Sequence, residues 1–99
     1  MQSLTLTNKL GKHFHKGRLK GALVPAFVDP YAGIVTLHTK QGAHNVFVKS
    51  IEPVKPEQMG AQMLKDFGFK SQKKLLKTIN EAHGLKLKQS DTLLALHWI

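Results

Sequence analysis

His13 and His15 stand two residues apart in the run KLGKHFHKGRLKG, residues 9–21. On a strand that spacing aims both imidazoles at one face, a geometry that can chelate a metal ion. A metal site needs further ligands, however. The other histidines, His38, His44, His83 and His97, are scattered, and the run itself holds no acid. Lys9, Lys12, Lys16, Arg18 and Lys20 surround the pair, and their field opposes a bound cation. No metal and no other cofactor is therefore expected. The same five cations suit a polyanion, because lysine and arginine track phosphates. An exposed Phe14 would add base stacking worth roughly 1–3 kcal/mol. Core packing is the expected role for Phe14, and phosphate contact for the cations; a solvated edge is the alternative for them.

A second basic surface follows from helical geometry. Lys70, Lys73, Lys74 and Lys77 recur at spacings of three and four, opposite Leu75, Leu76 and Ile79. No acid interrupts them before Glu81, so the face repels itself by a few tenths of a kcal/mol per like pair. Solvated helices usually mix their signs. An unmixed lysine face points to an anionic partner, with simple solvation as the competing reading.

Catalytic motifs are sparse. The chain has no cysteine, no G-x-S-x-G elbow and no glycine-rich phosphate loop ending in Lys-Ser/Thr. The six acids, Asp29, Glu52, Glu57, Asp66, Glu81 and Asp91, are dispersed and each reads as a turn, cap or ion-pair residue. The apolar stripe in MGAQMLKDF is assigned to core packing in preference to a partner groove or a membrane surface.

Composition sets the frame for these sites. Ninety-nine residues, 41% of them hydrophobic, make one domain with a modest core. Fifteen cations against six acids give a net charge of +9, which attracts nucleic acid first and acidic lipids or proteins second. All the cations except Arg18 are lysines, which lack the planar fork that reads guanine, so backbone contact is favoured over base readout. The absence of cysteine excludes disulfides and thiolate metal sites. No stretch approaches the roughly 18 apolar residues of a membrane span. A soluble, cytoplasmic protein is expected.

The elements divide into three zones within that single domain, residues 1–99. Residues 1–22 are basic and turn-rich, with SLTLT as a short strand. Residues 23–54 read as β-structure: LVPAFV, the DPYAG turn, then GIVTLHTK and HNVFVKSI joined at Gly42 and stopped by EPVKP. Residues 55–99 read as two helices and a terminal strand. The first helix opens at Pro56, carries Met59, Met63, Leu64 and Phe67, and ends at Gly68. The second is capped by Ser71, turns Leu75, Leu76, Ile79 and Ala82 inward, and stops at Gly84. Either strand or helix fits 90–99: as a strand Leu94, Leu96 and Trp98 share a face, and as a helix Ser90 or Asp91 caps it. A strand is preferred because GLKLKQ alternates before it.

The segment GALVPAFVDPYAGIVTLHTKQGAHNVFVKSIEPV resembles an SH3-like barrel of the KOW or Tudor type, on Gly33, Gly42 and Val46-Phe47-Val48 before Ile51-Glu52-Pro53. Residues 46–99 resemble the C-terminal part of an ASCH domain, a PUA-like β-barrel associated with RNA. There SIEPV is followed by the helix in GFKSQKKLLKTINEAHG and the strand TLLALHWI, with Gly68-Phe69-x-Ser71 as the shared phrase. Enzymatic members of that family carry a basic-threonine motif after a glycine, and an acid just before the Gly-Phe step. The resemblance leaves Lys20 and Asp66 as the catalytic candidates, but KGRLKGAL lacks the threonine and Asp66 lies one residue early.

The expectation is thus an α+β domain, a small SH3-like or PUA-like β-barrel with two helices in its C-terminal half. It is expected to bind DNA or RNA through phosphates with low sequence selectivity, using Lys9, Lys12, Lys16, Arg18, Lys20, Lys70, Lys73, Lys74 and Lys77. The alternatives are an ASCH-like hydrolase of RNA or a modified nucleoside, and a non-enzymatic adaptor or inhibitor docking on an acidic protein.

Overall fold

Alternation and turn chemistry build the sheet. In the computed structural model, which describes residues 2–99, the strands are β1 (Gln2–Thr5), β2 (Gly21–Pro25), β3 (Gly33–Thr39), β4 (Gly42–Val54) and β5 (Leu93–Trp98). They form one sheet in the order β1-β3-β4-β5-β2, with β1 parallel to β3 and every other pair antiparallel. The fold is α+β, and the sheet curls into a half-barrel whose two edges, β1 and β2, remain unpaired with one another. The β3–β4 hairpin pairs Thr39 with Gly42, and Gly42 takes a φ of 123° that an L side chain rarely adopts. Val35 and Leu37 point inward and are fully buried, while Ile34 and Phe47 pair on the exposed face. Gln2 ties β1 to the loop before β3: its amide donates to the Tyr31 carbonyl and its oxygen accepts from the Tyr31 amide at 3.1 Å.

Pro53 does not stop β4, which runs on to Val54. At 49–54 the strand pairs with β5 alone, since β3 covers it only as far as Val48. Its other edge is free there, and proline is tolerated on a free edge. β5 in turn lies between β4 and β2 and is covered on both faces. Leu96 and Trp98 belong to one apolar cluster with Val35, Leu37 and Val48, while Leu93 and Ala95 join Phe67, Leu75 and Ile79 in the other. A strand buried on both faces reads as a near-continuous apolar run, as LLAL does.

Three helices cover the sheet: α1 (Asn8–His15), α2 (Ala61–Asp66) and α3 (Gln72–His83). The first corrects the turn-rich reading of the N-terminal zone. The Thr7 hydroxyl caps it by accepting from the Leu10 amide at 3.2 Å, and Leu10 and Phe14, four apart, pack together on the core. Gly11 costs helix propensity and lies against Thr39, where a Cβ would be in ordinary van der Waals contact. The helix expected from Pro56 is instead a 3-10 turn over Pro56–Gln58 followed by α2, because Gly60 interrupts the run and serves as the N-cap. Ser71 caps α3 and Gly84 ends it in the left-handed region at φ 64°. Ala82, expected inward, is exposed. The GLKLKQ stretch forms no strand; Asn80 holds it by accepting from the Leu87 amide at 2.8 Å and donating to its carbonyl at 3.1 Å. No described helix is long and apolar enough to cross a membrane.

Candidate nucleic-acid interface

The convergence of cations begins at Gly68. Its φ of 85° turns the chain from α2 into α3, and the space beside it is filled by Leu10 and Leu19. A Cβ there would lie 2.6 Å from Leu10 Cδ2 and 3.0 Å from Leu19 Cδ1. Both are the far ends of flexible leucines, so the φ of 85° is what requires glycine, and Leu10 of α1 packs on the α2–α3 link. That approach carries Lys9, on the first turn of α1, to the lysine face of α3.

Lys9, Lys70, Lys74 and Lys77 consequently line one hollow of about 540 Å3, with Thr7, Thr78 and a single acid, Glu81. A second hollow of about 820 Å3 adjoins it and is lined by His13, Arg18, Lys20, Lys65, Asp66 and Lys70. Gly68, Phe69 and Lys70 border both, so the two hollows form one basic face. All its lysines are exposed, leaving each ammonium hydrated and available to an anion. The side chains come from α1, the loop after it, α2, the α2–α3 link that carries Lys70, and α3.

Not every basic residue singled out in the sequence falls here. Lys12 lies on another side of α1, beside His15, Thr39 and Lys40. Lys16 and Lys73 are exposed but line neither basic hollow. Lys65 was not anticipated, because its segment reads as the apolar stripe of α2. Its place one residue before Asp66 is the only hint the sequence carries.

The helical state of α1 also changes the histidine reading. Two residues apart on a helix point away from one another. His13 turns to the second hollow, whereas His15 meets His44 of β4 with ring centroids 4.8 Å apart and contacts Thr39 Oγ1 at 3.2 Å. Among the described residues no three metal-ligating side chains come together. Phe14 is half-buried, edge-on to Trp98 at 6.2 Å, and packs on the core.

Lys20 and Asp66, far apart in sequence, do meet. Lys20 Nζ lies 3.7 Å from Asp66 Oδ1, and the Lys20 amide donates to the Asp66 carbonyl at 2.8 Å. Gln62 also donates to Asp66 Oδ1, at 2.9 Å. Beside them sits a pair the sequence gave no sign of, His97 Nε2 with Glu52 Oε1 at 2.7 Å. The four side chains border a common hollow of about 250 Å3. The pairing of β4 with β5 brings Glu52 to His97, and that register is not written in any local motif. No hydroxyl or thiol nucleophile lines this hollow.

No family model matches the chain, and no curated protein matches it. Among solved structures, the crystal structure of protein EF3133 from Enterococcus faecalis, of the family model DUF984, is similar in fold. The TM-score is 0.69 at 13% sequence identity over 92% of this chain. The chain spans 66% of that protein's length. At this identity the likeness concerns the fold alone.

Proposed function

We propose that the protein binds nucleic acid through its phosphate backbone, with low sequence selectivity. The observation that carries this reading is the meeting of Lys9 with Lys70, Lys74 and Lys77 in one hollow, continuous at Lys70 with the hollow of Arg18, Lys20 and Lys65. Like charges gathered from separate elements repel one another in the free protein. A polyanion relieves that repulsion and releases its own counterions on binding. The lysines offer point charges and no planar fork, which suits phosphate and not base edges.

The test is fluorescence anisotropy with labelled single-stranded RNA, single-stranded DNA and duplex DNA at several salt concentrations. If five to seven phosphates are neutralised, log K falls with log salt on duplex DNA with a slope of about −4 to −6. Binding weaker than about 100 μM to all three at 150 mM salt, the weak end of non-specific affinity, overturns the reading. Protein captured in pull-downs that survive nuclease treatment would then favour an acidic protein partner.

The Lys20–Asp66 contact supports a second reading, an ASCH-like hydrolase of RNA or a modified nucleoside. Lys20 and Asp66 are its candidate residues. Absence of turnover above blank on nucleoside and RNA substrates removes it.

A further inference from the structure

The open seam of the half-barrel contains a different kind of site. A cleft of about 450 Å3 is lined by both sheet edges, β1 and β2, and by the last turns of α3. That volume is within the roughly 300–1,000 Å3 typical of small-molecule sites. Leu4, Leu23, Val28, Phe69 and Ile79 are among its walls, and none of its lining side chains is charged. Its polar side chains are the hydroxyls of Ser3, Thr5, Thr7 and Thr78 and the ring of His83. Thr7, Leu10, Phe69, Thr78 and Ala82 border both this cleft and the hollow of Lys9, Lys74, Lys77 and Glu81, so the two spaces are neighbours.

These features select the chemistry of an occupant. A nucleobase asks for a hydrogen-bond partner at each ring nitrogen and carbonyl, whereas the cleft's few polar side chains stand among walls that are mainly apolar. A neutral oil would make no use of the lysines at the mouth. An alkyl chain asks for no hydrogen bonds, and an anionic head attached to it would reach the ammonium groups. We propose that the seam binds a monomeric amphiphilic anion, with an alkyl chain in the cleft and a carboxylate or phosphate head among Lys9, Lys74 and Lys77. The proposal does not depend on nucleic-acid binding, although the two ligands would share these lysines.

The test is a 15N–1H NMR titration with decanoate below its micelle concentration, with acetate as the head alone and decanol as the chain alone. Decanoate is expected to shift the amides of Leu4, Leu23, Thr78 and Ala82 to saturation, and acetate at equal concentration is not. Changing Lys74→Gln with Lys77→Gln should weaken decanoate about threefold or more and leave decanol unchanged. Ala82→Trp, placed on the exposed rim of the cleft, should weaken both about tenfold by filling it. Ser3→Trp does the same from β1 if the first variant fails to fold. The proposal is overturned if decanoate shifts no more than acetate, if its shifts centre on exposed Ile34, Phe47 and Ile99, or if the filled variants bind as the wild type does. Response to anionic phospholipid vesicles without response to monomeric decanoate also overturns it. Anisotropy with RNA reads the nucleic-acid function separately, whatever decanoate does.

Discussion

Lys9 of the first helix and Lys77 of the last line the same hollow, brought there by the close approach of Leu10 to Gly68. Two basic stretches that look independent in the sequence thus become one surface. The fold does this at a cost, since like charges are drawn together, and among the described residues few of the lysines stand in an ion pair with an acid. Lys20 with Asp66 is such a pair, and its lysine is mostly exposed.

Gly68 is the first place to test this geometry. Gly68→Ala must adopt a φ of 85° and crowd Leu10 and Leu19. A destabilisation of about 1–3 kcal/mol is expected, read by urea unfolding. Relaxation of α1 away from the link should also weaken nucleic-acid binding more than a core variant of equal stability does. Equal weakening in the two would separate the glycine from the interface.

Gly21 is a second glycine fixed by packing. A Cβ at Gly21 would overlap the Leu96 carbonyl oxygen and lie 2.5 Å from Phe67 Cε1. Gly21→Ala is expected to cost at least about 1–3 kcal/mol through overpacking, seen as a lower denaturation midpoint. An unchanged midpoint would show that β2 can move away from β5 and α2.

Asn80 replaces the strand that alternation suggests for GLKLKQ. Its half-buried side chain makes two hydrogen bonds to Leu87. Asn80→Ala leaves a donor and an acceptor unpaired and should destabilise by about 1–3 kcal/mol. Amide exchange at Leu87 should rise together with it.

The cations outside the composite face provide the specificity control. Lys12→Gln and Lys73→Gln each remove a charge that lines neither basic hollow. Each should change the salt slope by well under the roughly 0.9 lost per phosphate contact on duplex DNA. Lys70→Gln, on the border of both hollows, should lose about that full amount.

Lys20 and Asp66 bear on stability very little. Their contact is a surface ion pair at 3.7 Å with Lys20 70% exposed, a class usually worth about 0–1 kcal/mol and weakened by salt. Asp66→Asn should leave the unfolding midpoint nearly unchanged at physiological salt. It should raise nucleic-acid affinity slightly by removing a negative charge from the second hollow.

The legible parts of this protein are those with local causes. The Gly42 hairpin, the Ser71 and Gly84 ends of α3, and the terminal strand can be read from turn chemistry, caps and alternation. Helix α1 was hidden because Gly11 and the cations mask a short apolar pair, Leu10 and Phe14, whose value comes from the core they meet. The end of β4 is not legible because Pro53 reads as a breaker unless the strand's free edge is known. At the site, the residue types were visible but their grouping was not. Which lysines share a hollow depends on a contact between Leu10 and Gly68, and the apolar seam depends on two strand edges that stay apart.

The most direct measurement compares the salt dependence of duplex DNA binding for the wild type and the combined variant Lys9→Gln, Lys70→Gln, Lys74→Gln and Lys77→Gln. If these residues together contact phosphates, the slope of log K against log salt flattens by about 3–4. A slope that stays the same in the folded variant contradicts the interface.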